Sequence, residues 1–277
     1  MDKSVFNFKI LYKDGSIIDL HEKNLWVSSF RILSPSPEHI TETVEGRHGS
    51  VLLETTLKER VVKTTIMVEA MDYTDFDLFR DELFRIFNPL EELYIIRDLQ
   101  PGKRMKVKVA NDFDIDYLTL EDGEFNVDFV IHSVFLESVG TTLDPFTFDS
   151  ELWQIGQGLI ESNDLKYTHT TTSFRIYNAG DIDIDPRVLP LKIEFTGASA
   201  NLTITNATTG DTWQYTGTTQ AGDTITLDGV RSLKNGASIF GNTNRKLITL
   251  KSGWNDFTIT GATGPFEISF DFRFYYL

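Results

Sequence analysis

The sequence predicts a mainly β protein with two domains and a single helix. Three observations carry that reading. Short runs rich in Val, Ile, Thr, Phe and Tyr recur along most of the 277 residues, divided by Gly, Asn or Asp turns. Only Met71–Asn88 has strong helical periodicity. From about residue 168 Thr, Gly, Asn and Ile dominate, and no helix signal remains. The expectation is an N-terminal antiparallel β-sandwich or barrel-like sheet with one packed α-helix at about 72–88, over residues 1–145. A C-terminal β-sandwich of jelly-roll type follows over 146–277.

In the first domain, Phe6–Tyr12 and Ser16–Leu20 flank Lys13-Asp14-Gly15, and Asp-Gly between β-rich runs marks a hairpin. Trp26–Leu33 is a third strand, broken by Ser34-Pro35-Ser36-Pro37. The polar stretch that follows to Glu45 reads as a long loop or an arm, ahead of Gly46-Arg47-His48-Gly49. Val51–Leu57 and Arg60–Glu69 then form a β-pair with Lys58-Glu59 at its tip. In the helix, Asp72 is an N-cap with Asp75 in the capping-box position. Phe76, Phe79, Leu83 and Phe87 line one face, and Asn88-Pro89 stops the helix because a residue before proline is driven out of the α region. Leu93–Arg97 is a short strand. Lys103–Ala110 alternates Arg104, Lys106 and Lys108 with Met105, Val107 and Val109, the period of a half-buried strand. Glu121-Asp-Gly-Glu124 signals another hairpin before Phe125–Phe135.

The second domain offers Thr172–Tyr177, Leu189–Phe195, Asn201–Asn206, Thr212–Thr216, Thr224–Leu227, Lys246–Leu250, Phe257–Thr260 and Phe266–Tyr275 as strands. Its apolar last strand, Phe270–Leu277, must dock in a sheet.

The formal charge is −15. Up to Pro145 there are 16 Lys+Arg against 27 Asp+Glu, a net of −11, and the remainder carries −4. Such acidity argues against tight nucleic-acid binding, which needs a basic footprint. There is no cysteine, hence no disulfide framework or cysteine-ligated metal. Charges interrupt Val5–Leu20, and no window approaches the ~20 apolar residues of a membrane span. The expectation is a soluble protein made in a cytoplasm, without membrane insertion.

Chemistry is hard to find. None of His21, His39, His48, His132 and His169 lies in a nucleophile or zinc motif, and no phosphate-binding glycine loop occurs. His48 between two glycines reads as a tight loop or an interface. Asp112/Asp114/Asp116 and Asp181/Asp183/Asp185 alternate like calcium ligands, but the glycine of an EF-hand is replaced by Tyr117 and Pro186. Period two also places each trio on one solvated strand face. We expect no catalytic residue, cofactor or metal.

The order of these elements resembles the distal tail protein (Dit) family of long, non-contractile-tailed bacteriophages. The resemblance rests on Lys13-Asp-Gly15, Gly46-Arg-His-Gly49, the segment Met71–Leu83, Pro101-Gly-Lys-Arg104 and Phe125–Phe135. In the second half it rests on Tyr177-Asn-Ala-Gly180, Leu191–Gly197, Leu202–Gly210, Asp223–Asp228 and Lys251–Asn255. Asn178-Ala-Gly180 stands where the family has Asn-Pro-Gly. The resemblance implies a non-enzymatic virion protein, a homo-hexameric ring formed by N-terminal domains at the distal end of the tail. Galectin-like or carbohydrate-binding-module-like sandwiches would point outward. Its implied partners are the major tail tube protein, the tape measure protein and the tail-associated, receptor-engaging protein of the tail tip, and DNA would pass through the lumen without specific binding.

By position, Pro35, Pro37, Arg47, His48, Lys58 and Glu59 are candidates for subunit contacts. Asp75, Asp77, Asp81 and Glu82 are candidates for a lumen or an interface, where negative walls repel an anionic polymer. Two other functions stay open. Trp213 and Trp254 are candidates for stacking on sugar rings in a carbohydrate-binding module, and a paired-carboxylate cell-wall glycosidase is the second alternative.

Overall fold

The computed structural model describes residues 2–69, 75–119, 121–147, 151–159 and 165–277. Two compact units emerge, Met1–Glu137 and Ser138–Tyr276. The protein is mainly β with antiparallel sheets, and among the described residues there is one α-helix.

In the first unit β1 (Phe8–Leu11) and β2 (Ile17–Asp19) form the hairpin expected at Asp14-Gly15. Asp14 accepts from the backbone and hydroxyl of Ser16, and Gly15 takes φ 90°, a conformation glycine adopts without strain. β3 (Leu25–Ile32), β4 (Ser36–Glu42), β5 (Val51–Lys58) and β6 (Arg60–Glu69) follow. After α1 (Asp75–Ile86) come β7 (Leu93–Arg97), β8 (Gln100–Val109), β9 (Asp116–Tyr117) and β10 (Asp122–Ile131). The sheet order is β2-β1-β7-β8-β10-β6-β3. β8 and β10 meet only at Phe129↔Val109 and Val130↔Lys108, so the sheet turns a corner there, as in a barrel-like fold.

The helix stripe is rotated slightly from expectation. Phe76, Leu83, Ile86 and Phe87 are buried, whereas Phe79 is only half-buried. Phe87 anchors the helix edge-on to Phe125, with ring centroids 5.9 Å apart, and also meets Phe129. The helix stops where Asn88 turns its side chain to accept from Leu90 N, ahead of Pro89. The Asp72 N-cap lies outside the described residues.

Gly123, expected in the hairpin turn at Glu121–Glu124, lies apart from it. It is not the turn but a residue inside β10, opposite Tyr117 of β9. A Cβ there would sit 2.4 Å from Ile115, so glycine serves close packing.

The second unit is built on two long strands, Leu191–Asn206 and Gly253–Phe272, paired along most of their length. The runs expected as separate strands, Leu189–Phe195 with Asn201–Asn206 and Phe257–Thr260 with Phe266–Tyr275, are thus halves of continuous strands. The glycines between them bend the strands rather than end them. The register shifts between Gly197 and Thr203. There Gly261, at φ 85°, comes so close to the opposite strand that a Cβ would lie 2.6 Å from two carbonyl oxygens, those of Ala200 and Asn201. Beyond this bend the strands begin a second layer, so Phe257 meets Phe270 across the core at 4.8 Å. Lys246–Leu250 is no strand; Leu250 makes a single bridge to Ile184.

The segment after Glu137 packs with the second unit. Ser138 and Thr142 donate backbone N–H groups to Phe274 and Phe272, and Phe146 stacks on Trp153 at 4.6 Å. The compact division therefore falls at 137/138, eight residues before the expected boundary at Pro145.

Candidate assembly surfaces

Of the two readings of the polar stretch up to Glu45, loop or arm, the fold adopts the arm, and the arm extends through residue 58. β4 and β5 pair only with each other, in a two-stranded sheet of their own. Val51–Leu57 and Arg60–Glu69 are not a β-pair, because β6 spends all ten residues of its length on β10 and most of it on β3. Lys58-Glu59 is accordingly the root of the arm rather than a tip. Lys58 is paired with Glu38 at 3.2 Å, and Glu59 faces His132 at 3.2 Å. The tip is the Gly46–Gly49 turn, where Gly46 and Gly49 have φ of 80° and 81° and Arg47 N donates to Val44 O. Arg47 and His48 are exposed there.

Every residue in 36–50 and in 52–59 is exposed. That includes Ile40, Val44, Leu52, Leu53 and Leu57, at 40–59%. The pairs Pro37↔Leu57 and His39↔Thr55 share one face of the ribbon, and Glu38↔Thr56 and Ile40↔Glu54 share the other. Leucines and isoleucine that touch no core, on a ribbon with two open edges, are what an interaction element presents. Sequence reading singled out Pro35, Pro37, Arg47 and His48 but missed these apolar residues. Their signal was Leu52-Leu53 next to a polar, proline-flanked stretch.

The helix acids sit differently. Asp77 pairs with Arg80 at 2.7 Å, Glu82 pairs with Lys23 at 2.9 Å, and Asp81 is exposed. Asp75 opens the helix, and its side chain lies outside the described residues.

Trp213 cannot stack on a sugar. Its ring is 1% exposed and its indole N–H points at Ser232 Oγ at 3.3 Å. Trp254 is half-buried, with the Arg175 guanidinium 4.7 Å over its ring and Tyr177 4.9 Å away, so its surroundings are already aromatic and cationic. The Asp181/Asp183/Asp185 trio is also occupied internally. Burial would raise the Asp183 pKa, but Lys251 and the Ser252 N–H prevail and hold it below the usual range. Arg187 does the same for Asp185. Among the described residues no three His, Asp or Glu side chains converge as metal ligands.

The stretch that the sequence comparison matches falls within the first unit, mainly β with one helix and an arm that no other described strand covers. Residues 13–131, which include the arm and the helix, match the phage tail protein RIFT-related domain. That stretch of the chain is thus similar to a phage tail domain. No curated protein matches the sequence. Among solved structures, the crystal structure of SPP1 Dit is described as a paradigm of the hub adsorption apparatus in phages infecting Gram-positive bacteria. It is similar at a TM-score of 0.70 and 17% identity, over 96% of this chain and 99% of that one. Two structures of the phage p2 baseplate in its activated conformation, with calcium and with strontium, align at TM-scores of 0.48 and 0.47. Their identities are 10% and 8%, over 98% and 97% of this chain and 98% of each of theirs. The resemblance to distal tail proteins drawn from the sequence is borne out, and the fold is similar to that of SPP1 Dit over most of the chain.

Proposed function

We propose that this chain is a distal tail protein: six copies close a ring at the end of the tail tube, join it to the receptor-engaging tail tip, and leave a lumen for DNA. The observation that carries this reading is the arm. Within a matched phage tail domain, a ribbon with exposed leucines and two unpaired edges gains most by lying against a second copy, where burial is worth roughly 25 cal/mol per Å² of apolar area. The charge supports the lumen. The residues up to Pro145 hold a net of −11, and an acidic wall lets DNA slide without sticking. Assembly would occur in the host cytoplasm, with the tail tube, tape measure and tip proteins as neighbours.

Native mass spectrometry of the full chain tests the ring. A sixfold mass that disappears in Leu53→Asp/Leu57→Asp supports the proposal. A monomer at every concentration, alone and with the tail tube protein, overturns it. A glycan-binding reading finds no support in the second unit, because Trp213 is a core residue.

A further inference from the structure

The arm's attachment to its domain has a specific weakness. Ile32 pairs with Val62 in the domain, and Ser36 pairs with Lys58 in the arm. Three residues separate these pairs on each strand, so both ladders keep one register and form a single long hairpin interrupted in the middle. Leu33 N donates to Val61 O at 3.0 Å, which fixes which positions bond across the ladder. In an antiparallel ladder bonded pairs recur every second residue, so the next ones fall at 35↔59 and 37↔57. Residues 35 and 37 are both proline. Proline has no N–H, so two successive rungs each lose a donor.

What remains at this level is sparse and mostly at the surface: Glu59 faces His132 at 3.2 Å, with both side chains more than half exposed. The Arg60 guanidinium crosses from the start of β6 and donates from Nε to Leu33 O at 2.6 Å. Its Nη1 is buried without a hydrogen-bond partner among the described residues. Beyond it, no described core residue lies on the arm. We propose that the Pro35–Pro37 level is a hinge on which the arm turns as one ribbon, with Arg60 as the pin that limits its travel. The hinge stands independently of what the arm finally meets. It would let one chain fold alone with its arm free, then swing it onto a neighbouring surface.

The absence of cysteine makes the test clean. Spin labels at His48→Cys on the tip and Glu69→Cys at the far end of β6 report arm travel by pulsed dipolar spectroscopy, with labelled chain diluted into unlabelled chain. Glu69→Cys with Ser133→Cys is the rigid reference within the domain. The hinge predicts a tip distribution broader than the reference, narrowed by Pro35→Val/Pro37→Val and widened by Arg60→Ala. Hydrogen exchange should slow in Val51–Lys58 of the valine variant, about fivefold for each restored rung. A tip distribution as narrow as the reference overturns the hinge. So do a width and an exchange rate that ignore the prolines, a result that does not depend on Arg60→Ala folding.

Discussion

The arm and the long strand pair of the second unit are made of the same material. Each is an antiparallel ladder with an irregularity in its register, at Ile40/Thr41 in the arm and between Gly197 and Thr203 in the pair. Their surroundings differ completely. Along Leu191–Asn206 buried and half-exposed residues alternate, and the ladder wraps its own core. Along Ser36–Glu42 every residue is exposed. Both contain large aliphatic residues, so hydrophobic content does not tell which ladder is a core and which an interface. The deciding feature is whether other strands of the same chain cover it. A ladder left uncovered is coupled to folding only weakly, and its energy is available for association.

The largest effect expected from this contrast lies in the covered ladder. Phe270 is fully buried and meets Phe257 at 4.8 Å and Phe174 at 5.8 Å. Phe270→Ala should cost about 3–5 kcal/mol, the transfer and cavity cost of a lost core ring. Chemical denaturation of the full chain, followed by tryptophan fluorescence, would show the loss. A loss under about 1 kcal/mol would mean that the two layers are not packed through this ring.

The glycines sharpen the comparison at the backbone. Gly261 and Gly46 share a left-handed φ, 85° and 80°. A Cβ at Gly46 meets nothing within 4 Å, whereas at Gly261 it lies 2.6 Å from two carbonyl oxygens. Gly46→Ala should cost only the left-handed strain, about 1–2 kcal/mol, and that mainly at the tip. Gly261→Ala adds overpacking and should lose about 3 kcal/mol or more from the second unit. Equal losses would show that the strand bend has room to relax.

In the arm the expectation reverses. Leu53→Asp/Leu57→Asp should change folding stability within roughly ±0.5 kcal/mol, as for other surface positions, while abolishing self-association. Thermal melts at low concentration read the first, and sedimentation at high concentration the second. A destabilised monomer would place these leucines against their own chain.

How much of this was legible beforehand follows from what sets each feature. The helix was legible because period and proline stop agree locally, but its docking angle was not. Ile86 is buried in place of a fully buried Phe79 because the angle depends on Phe125 and Phe129, some forty residues away. Strand alternation in β8 was legible because Met105 and Val107 face one core. The arm's root was misread as a tip because adjacent β runs usually pair. Here β10, more than fifty residues on, outcompetes β5 for β6. Trp213 was ambiguous for the same reason, since an alternating strand does not announce which face is inside.

The smallest effect is a pH dependence confined to the covered region. Asp223 accepts from Gln220 N, Asn235 Nδ2 and Lys234 Nζ, and these bonds pull its pKa down to about 2. Because the folded value lies below the ordinary carboxylate value of 3.8, the stabilisation is full above that value and is lost as pH falls towards 2. Asp223 is half-buried at the protein surface, where solvent screens its charge in part, so the effect on Tm should be modest. Asp223→Asn should melt below the parent at pH 7, and the gap should close by about pH 2. A gap that is constant with pH would mean that the loop depends on hydrogen-bond geometry rather than on the charge. The arm tip, tied by Arg47 N to Val44 O alone among its described backbone bonds, has no such carboxylate clasp. Its melting should therefore be the same with Asp223 as with asparagine, which separates a local clasp from a general acid response.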